Sequence, residues 1–134
     1  MDYTIGQAAE ASGISRKMIR YYEETGLLPP VRRSESGYRY YSDDDIRRLQ
    51  FIRRARDMGF SLERISLLLS LWQNEQRHSA DVKALVQQYI DELDDTITQM
   101  QAMRDELHGW VDHCHGDERS ECAIIDHLKP STDI

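Results

Sequence analysis

Thr4-Ile5-Gly6-Gln7-Ala8-Ala9-Glu10-Ala11-Ser12-Gly13-Ile14-Ser15-Arg16-Lys17-Met18-Ile19-Arg20-Tyr21-Tyr22-Glu23-Glu24-Thr25-Gly26 reads as two short helices and the turn between them. Thr4 followed by Gln7 is a capping box, with Thr4 as N-cap. The first helix is expected to run to about Ser12 and to stop at Gly13. Ser15 is the expected N-cap of the second, which ends near Glu24-Thr25 with Gly26 where a C′ glycine belongs. Ile5, Ala8, Ala9, Ile14, Ile19 and Leu27 supply a small core. Two helices joined by such a turn make a helix-turn-helix pattern.

Leu28-Pro29-Pro30 then forces an extended exit. Val31-Arg32-Arg33 reads as a short strand, Ser34-Glu35-Ser36-Gly37 as a turn and Tyr38-Arg39-Tyr40 as the return strand. A hairpin beside a helix-turn-helix is a wing. It interleaves Arg32, Arg33 and Arg39 with Tyr38, Tyr40 and Tyr41. The arginines suit phosphate contacts. The tyrosines either pack the hairpin or offer hydroxyls and stacking faces, and both readings stand. Ser42 caps a third helix to about Met58, with Ile46, Leu49, Phe51 and Ile52 on its apolar face. Ser61 caps a fourth, which carries Ile65, Leu68, Leu69 and Trp72.

Beyond the polar stretch 73–79, Ser79 is expected to cap a long helix from about Ala80 to Val111. Val86, Tyr89, Leu93, Thr96, Met100, Met103, Leu107 and Trp110 recur at alternating steps of three and four, a heptad seam. Ile90, Ile97 and Val111 widen it. A helix of this length on so small a domain calls for a second copy to cover the seam, so a homodimer joined by a coiled coil is expected. A three-helix bundle within one chain is the alternative. The expected fold is mainly α: a winged helix-turn-helix over 1–72, a coiled-coil dimerisation helix over 79–111, a metal-binding loop and short helix over 112–128, and a flexible tail over 129–134.

The 134 residues carry 17 Lys+Arg against 24 Asp+Glu, a net charge of −7. That average conceals a polarised chain. Residues 1–60 hold 11 basic and 9 acidic side chains, whereas 61–134 hold 6 and 15. A basic front on an acidic chain points to nucleic acid at one end. No apolar run is long enough to span a membrane, and the start lacks the pattern of a signal peptide. A cytoplasmic protein is therefore expected. The two cysteines then read as free thiols or metal ligands before a disulfide. No nucleophile–base–orienter set marks an enzyme, and a metal carrier would not need a winged helix-turn-helix.

Three segments in order resemble the DNA-binding domain of the MerR family of bacterial transcription regulators. They are Ile19-Arg20-Tyr21-Tyr22-Glu23-Glu24-Thr25-Gly26-Leu27-Leu28, Arg33-Ser34-Glu35-Ser36-Gly37-Tyr38-Arg39-Tyr40-Tyr41 and Ile52-Arg53-Arg54-Ala55-Arg56-Asp57-Met58-Gly59-Phe60-Ser61-Leu62. The resemblance implies that the second helix enters the major groove with Arg16, Lys17, Arg20 and Tyr22. It implies backbone contacts from Arg33, Tyr38 and Arg39 of the wing and a further phosphate contact from Arg56. It also implies a pseudo-palindromic operator in double-stranded promoter DNA, RNA polymerase at the same promoter, and activation by distorting the duplex.

Arg77-His78-Ser79-Ala80-Asp81-Val82-Lys83 and the Cys114-x7-Cys122 spacing resemble the copper-efflux regulators, which respond to Cu(I), Ag(I) and Au(I). Thiolates prefer such soft ions, and two of them with a monovalent ion leave a charge of about −1. A divalent ion wants three or four ligands, in a tetrahedron for Zn²⁺. In divalent-sensing relatives the position matching Ser79 is a Cys from the long helix of the partner subunit; serine is a poor soft ligand, so Ser79 favours the monovalent ion. The residue after each loop Cys is usually Pro in the copper subgroup, whereas here it is His115 and Ala123. His78, His113, His115 and His127 keep a Zn²⁺ site open as an alternative. The expected function is a copper-responsive activator of efflux genes. The alternatives are a divalent-metal or a thiol-redox sensor on the same scaffold.

Overall fold

The computed structural model describes residues 1–131. It contains helices α1 (Ile5–Ser12), α2 (Arg16–Glu24), α3 (Asp43–Asp57), α4 (Leu62–Gln73), α5 (Ser79–His113) and α6 (Ala123–Leu128), with strands β1 (Arg32–Arg33) and β2 (Arg39–Tyr40). The chain divides into two units, Met1–Val86 and Gln87–Ile134.

In the first unit, side-chain caps set the helix starts. The Gln7 amide N–H donates to Thr4 Oγ1 at 3.2 Å and the Thr4 N–H to Gln7 Oε1 at 2.9 Å, closing the capping box. Ser15, Ser42 and Ser61 each accept from the amide three residues on. Gly13 ends α1 at φ 74°, a left-handed backbone that a Cβ would strain. Three aspartates open α3 and two arginines close it, which suits both ends of its dipole. α1 packs on α2 and α3, and α3 packs on α4.

Ile19, Leu28, Tyr41, Leu49, Ile52 and Ile65 are the large side chains fully buried there. Leu49→Ala should lower stability by about 3 kcal/mol, since a buried leucine loses both its transfer energy and its packing. Chemical denaturation followed by circular dichroism measures the loss. A change below about 1 kcal/mol would place Leu49 outside the core.

The hairpin pairs Arg32 with Tyr40 and Arg33 with Arg39, antiparallel. An unforeseen third segment extends it: Tyr3 and Tyr41 exchange backbone hydrogen bonds at 2.7 and 2.8 Å. The Tyr3 hydroxyl donates to Asp43 Oδ1 at 2.9 Å and the terminal ammonium reaches Asp43 Oδ2 at 3.2 Å. The Tyr3 hydrogen bond, followed by the ammonium, holds the Asp43 carboxyl below the usual carboxylate range. No described helix is long and apolar enough to cross a membrane.

α5 has 35 residues, about 50 Å at 1.5 Å per residue. Two boundaries differ from expectation. Ser79 is the first helical residue and not its cap, because the His78 carbonyl already accepts from Asp81 N–H at 3.0 Å. The helix also runs on to His113. None of its residues is buried, so a bundle within one chain does not form. Lys129 is still bonded to α6 through Ile125 O at 2.9 Å. Of the expected flexible tail, 132–134 lie outside the described residues.

Candidate nucleic-acid interface and metal centre

The basic side chains of residues 1–60 fall into two groups. Arg32 pairs with Asp2, Arg39 with Glu23, Arg47 with Asp44, Arg48 with Asp45 and Arg53 with Asp57. Those charges are already compensated. Among the described residues of 1–60, Arg16, Lys17, Arg20, Arg33, Arg54 and Arg56 make no ion pair, and all six are exposed. Three of them, Arg16, Lys17 and Arg20, follow the N-cap of α2 and share its outer side at i, i+1 and i+4. Such cations gain by neutralising phosphates, because counterions are then released. In the wing, Arg33 donates to Gly37 O at 3.3 Å, and Tyr38 stands 73% exposed at the turn.

Two residues expected to contact DNA are largely covered in the single chain. Tyr22 is only 4% exposed and belongs to the hydrophobic core, since it lies three residues after buried Ile19 on one face of α2. Its neighbour Tyr21 is 44% exposed, whereas the family resemblance had assigned the DNA contact to Tyr22. Arg39 is half-buried and its Nε lies 3.0 Å from Glu23 Oε2, so its charge is already paired within the unit. Tyr41 is fully buried, which settles it as a packing residue; Tyr40 is partly covered.

The second unit brings the two cysteines together. Cys114 follows the last residue of α5, where its N–H donates to Val111 O at 3.1 Å. Gly116 turns the loop at φ 64°. Asp117 steadies it, accepting from the Arg119 N–H at 2.9 Å and pairing with Arg119 Nε at 3.1 Å. Cys122 occupies the N-cap position of α6. The two Sγ atoms stand 3.3 Å apart as half-buried free thiols. The Cys122 thiol is drawn below its ordinary pKa, first by the Ile125 backbone N–H and then by Cys114. The amide is oriented toward the sulfur but does not complete a capping hydrogen bond.

The donor set suits a soft cation. With bonds of the length zinc makes to sulfur, about 2.3 Å, sulfurs on opposite sides of an ion lie about 4.6 Å apart. The 3.3 Å pair must therefore open by about 1.3 Å to hold a linear ion. Among the described residues of one chain, no group of three His, Cys, Asp or Glu side chains converges as a ligand set. Two of the histidines have other partners. His113 Nδ1 donates to Gly109 O at 2.7 Å, and the His127 ring stacks on Trp110 with centroids 4.9 Å apart and planes within 5°. That stack ties α6 to α5. Ser79 is exposed at the first turn of α5.

The sequence reading missed the Glu23–Arg39 pair and the Tyr3–Tyr41 bridge. Their partners are 16 and 38 residues apart. No periodicity reaches that far; the unlike charges on α2 and the wing were the one available signal.

Residues 3–72 match the MerR HTH family regulatory protein model, and residues 46–110 match the MerR, DNA binding model. The chain is 50% identical to heavy metal-dependent transcription regulator 2 of Rhizobium meliloti, covering 92% of this chain and 84% of that one. It is 41% identical to the HTH-type transcriptional regulator CueR of Salmonella typhi, covering 92% and 90%. Among solved structures it resembles the transcription regulator PbrR691 of Ralstonia metallidurans in complex with lead(II), with a TM-score of 0.84 at 31% identity over 95% of this chain and 99% of that one.

Proposed function

The chain belongs to the MerR HTH family of regulatory proteins, a premise from which we propose that it is a metal-responsive transcription activator whose effector is a soft monovalent cation of the Cu(I), Ag(I), Au(I) class. The observation that carries this is the pairing of Cys114 Sγ and Cys122 Sγ at 3.3 Å with no third ligand group converging among the described residues. Two thiolates satisfy a two-coordinate ion, and they are half of what a tetrahedral divalent ion requires. When bound, such an ion supplies a charge that lowers the repulsion between the thiolates. Cys114 and Cys122 hold it, and a second copy of the chain would bring Ser79, which has only a hydroxyl, where a third soft ligand would be wanted.

At the other end Arg16, Lys17, Arg20, Arg33, Tyr38 and Arg56 meet double-stranded promoter DNA. The α2 side chains read base edges, and the wing fixes register on the backbone. The exposed seam of α5 joins two copies, so the operator is a pseudo-palindrome with RNA polymerase bound at the same promoter. The lead(II)-bound relative keeps a divalent reading in view.

Anaerobic titration decides between the two. Cu(I) should bind at one ion per Cys114–Cys122 pair against a competing chelator, with two sulfur neighbours by X-ray absorption, while Zn(II) fails to compete. Tight Zn(II) or Pb(II) binding with more than two ligands would overturn the monovalent assignment.

A further inference from the structure

We infer that Glu23 is a positioning residue of the DNA-binding surface: through Arg39 it locks the wing to the recognition helix. The inference rests on the DNA-binding reading above and goes beyond it, because Glu23 carries the wrong charge to grip phosphate.

Three observations meet at one place. Glu23 lies in the last turn of α2 and Arg39 in β2, and the ion pair between them spans the two elements expected to grip DNA. It is not a surface pair, since its side chains are 12% and 24% exposed. Tyr41, the residue after β2, is fully buried beside it. Glu23 Oε2, Arg39 Nε and Tyr41 Oη are all buried, and none is hydrogen-bonded among the described residues. The 3.0 Å approach of Nε to Oε2 is thus an ion contact with its N–H turned aside. Burial, then the Glu23 carboxylate, raises the Tyr41 hydroxyl above its ordinary pKa.

A buried cluster of this kind is costly if broken, because one charge is left without its partner in a place water reaches poorly. The wing's Tyr3–Tyr41 bridge and Arg32–Asp2 pair tie it to the N-terminal segment and not to α2. β1 and β2 are two residues each, and an isolated two-stranded hairpin is marginal alone. The angle between wing and α2 therefore depends on the pair. Engaging Arg39 through Nε leaves its two Nη groups as donors. Glu23 thereby selects which edge of the guanidinium is presented.

The test turns on a sign. A carboxylate near DNA repels phosphate, so on charge alone Glu23→Gln should tighten DNA binding. If Glu23 positions the wing, the same substitution weakens it. The probe is a duplex that the wild-type protein enriches from a random-sequence pool, measured against unselected duplex at several salt concentrations. We expect Glu23→Gln to bind the selected duplex about tenfold more weakly, as broken coupling between neighbours costs, while unselected duplex binds as well or better. Arg39→Gln should show a similar loss, and the double variant no more than either single.

Thermal melts of each variant separate this from unfolding, because a merely structural loss lowers the midpoint without changing selected-to-unselected discrimination at low temperature. Tighter binding of both duplexes by Glu23→Gln, or additive losses in the double variant, overturns the inference. A pool from which the wild type enriches nothing overturns the DNA-binding reading itself.

Discussion

Cys114→Ser should abolish transcriptional activation by metal and leave operator binding in place. The hydroxyl is close in size to the thiol, but it is a hard, neutral ligand at pH 7. Removing one of two donors leaves a single thiolate, Cys122, at the N-cap of α6. Loss of an outer partner at a metal site costs roughly 10–100-fold in affinity, and loss of half the direct ligands should exceed that. DNA affinity should hold because the first unit, Met1–Val86, contains neither cysteine and builds its core from Ile19, Leu28, Leu49 and Ile65. A reporter driven by the operator, with and without Cu(I) salt, reads the first effect. Gel shifts with apo-protein read the second. Activation that persists in Cys114→Ser would remove the loop as the sensor, and lost operator binding would make Cys114 a structural residue.

The legibility of this chain depended on how far each interaction reached along it. Capping is local, and Thr4, Ser15, Ser42 and Ser61 were all readable as helix starts from the next three residues. At Ser79 the same reasoning failed by one residue, because the His78 carbonyl takes the first bond of the turn. The seam of α5 was readable because its period repeats over four heptads. At Tyr21 and Tyr22 the pattern was the better guide: Tyr22 follows Ile19 by three residues and Met18 by four, so helical spacing alone places it on the buried face, and the DNA role came from the resemblance. The cysteine spacing predicted proximity and could not give the 3.3 Å separation, which depends on the Gly116 turn and on α6. The basic count in 1–60 overstated the charge free for DNA, because five of those arginines have acidic partners within the unit.

Those limits bear on the seam, where pattern and structure agree most closely. Ile90, Leu93, Ile97, Met100, Met103, Leu107 and Val111 are between 39% and 59% exposed on α5, a continuous apolar stripe with no cover in one chain. Burying the exposed half of each side chain contributes about 1 kcal/mol per residue. Two copies supply enough to offset the several kcal/mol that association costs. Leu93→Glu with Met100→Glu puts two carboxylates per chain into that stripe, seven residues apart on one face. A carboxylate cannot be buried unpaired, so the double variant should sediment as a 15.7 kDa monomer. Its helical signal should stay near that of the wild type, because no α5 residue is buried in the single chain and no core is lost. Operator binding should then fall by about 10²–10⁴, since each half-site is held without the effective concentration that the linked copy provides. A variant that remains dimeric places the interface elsewhere. A monomer that binds the full operator as tightly as the wild type would show that the two helix-turn-helix units do not act together.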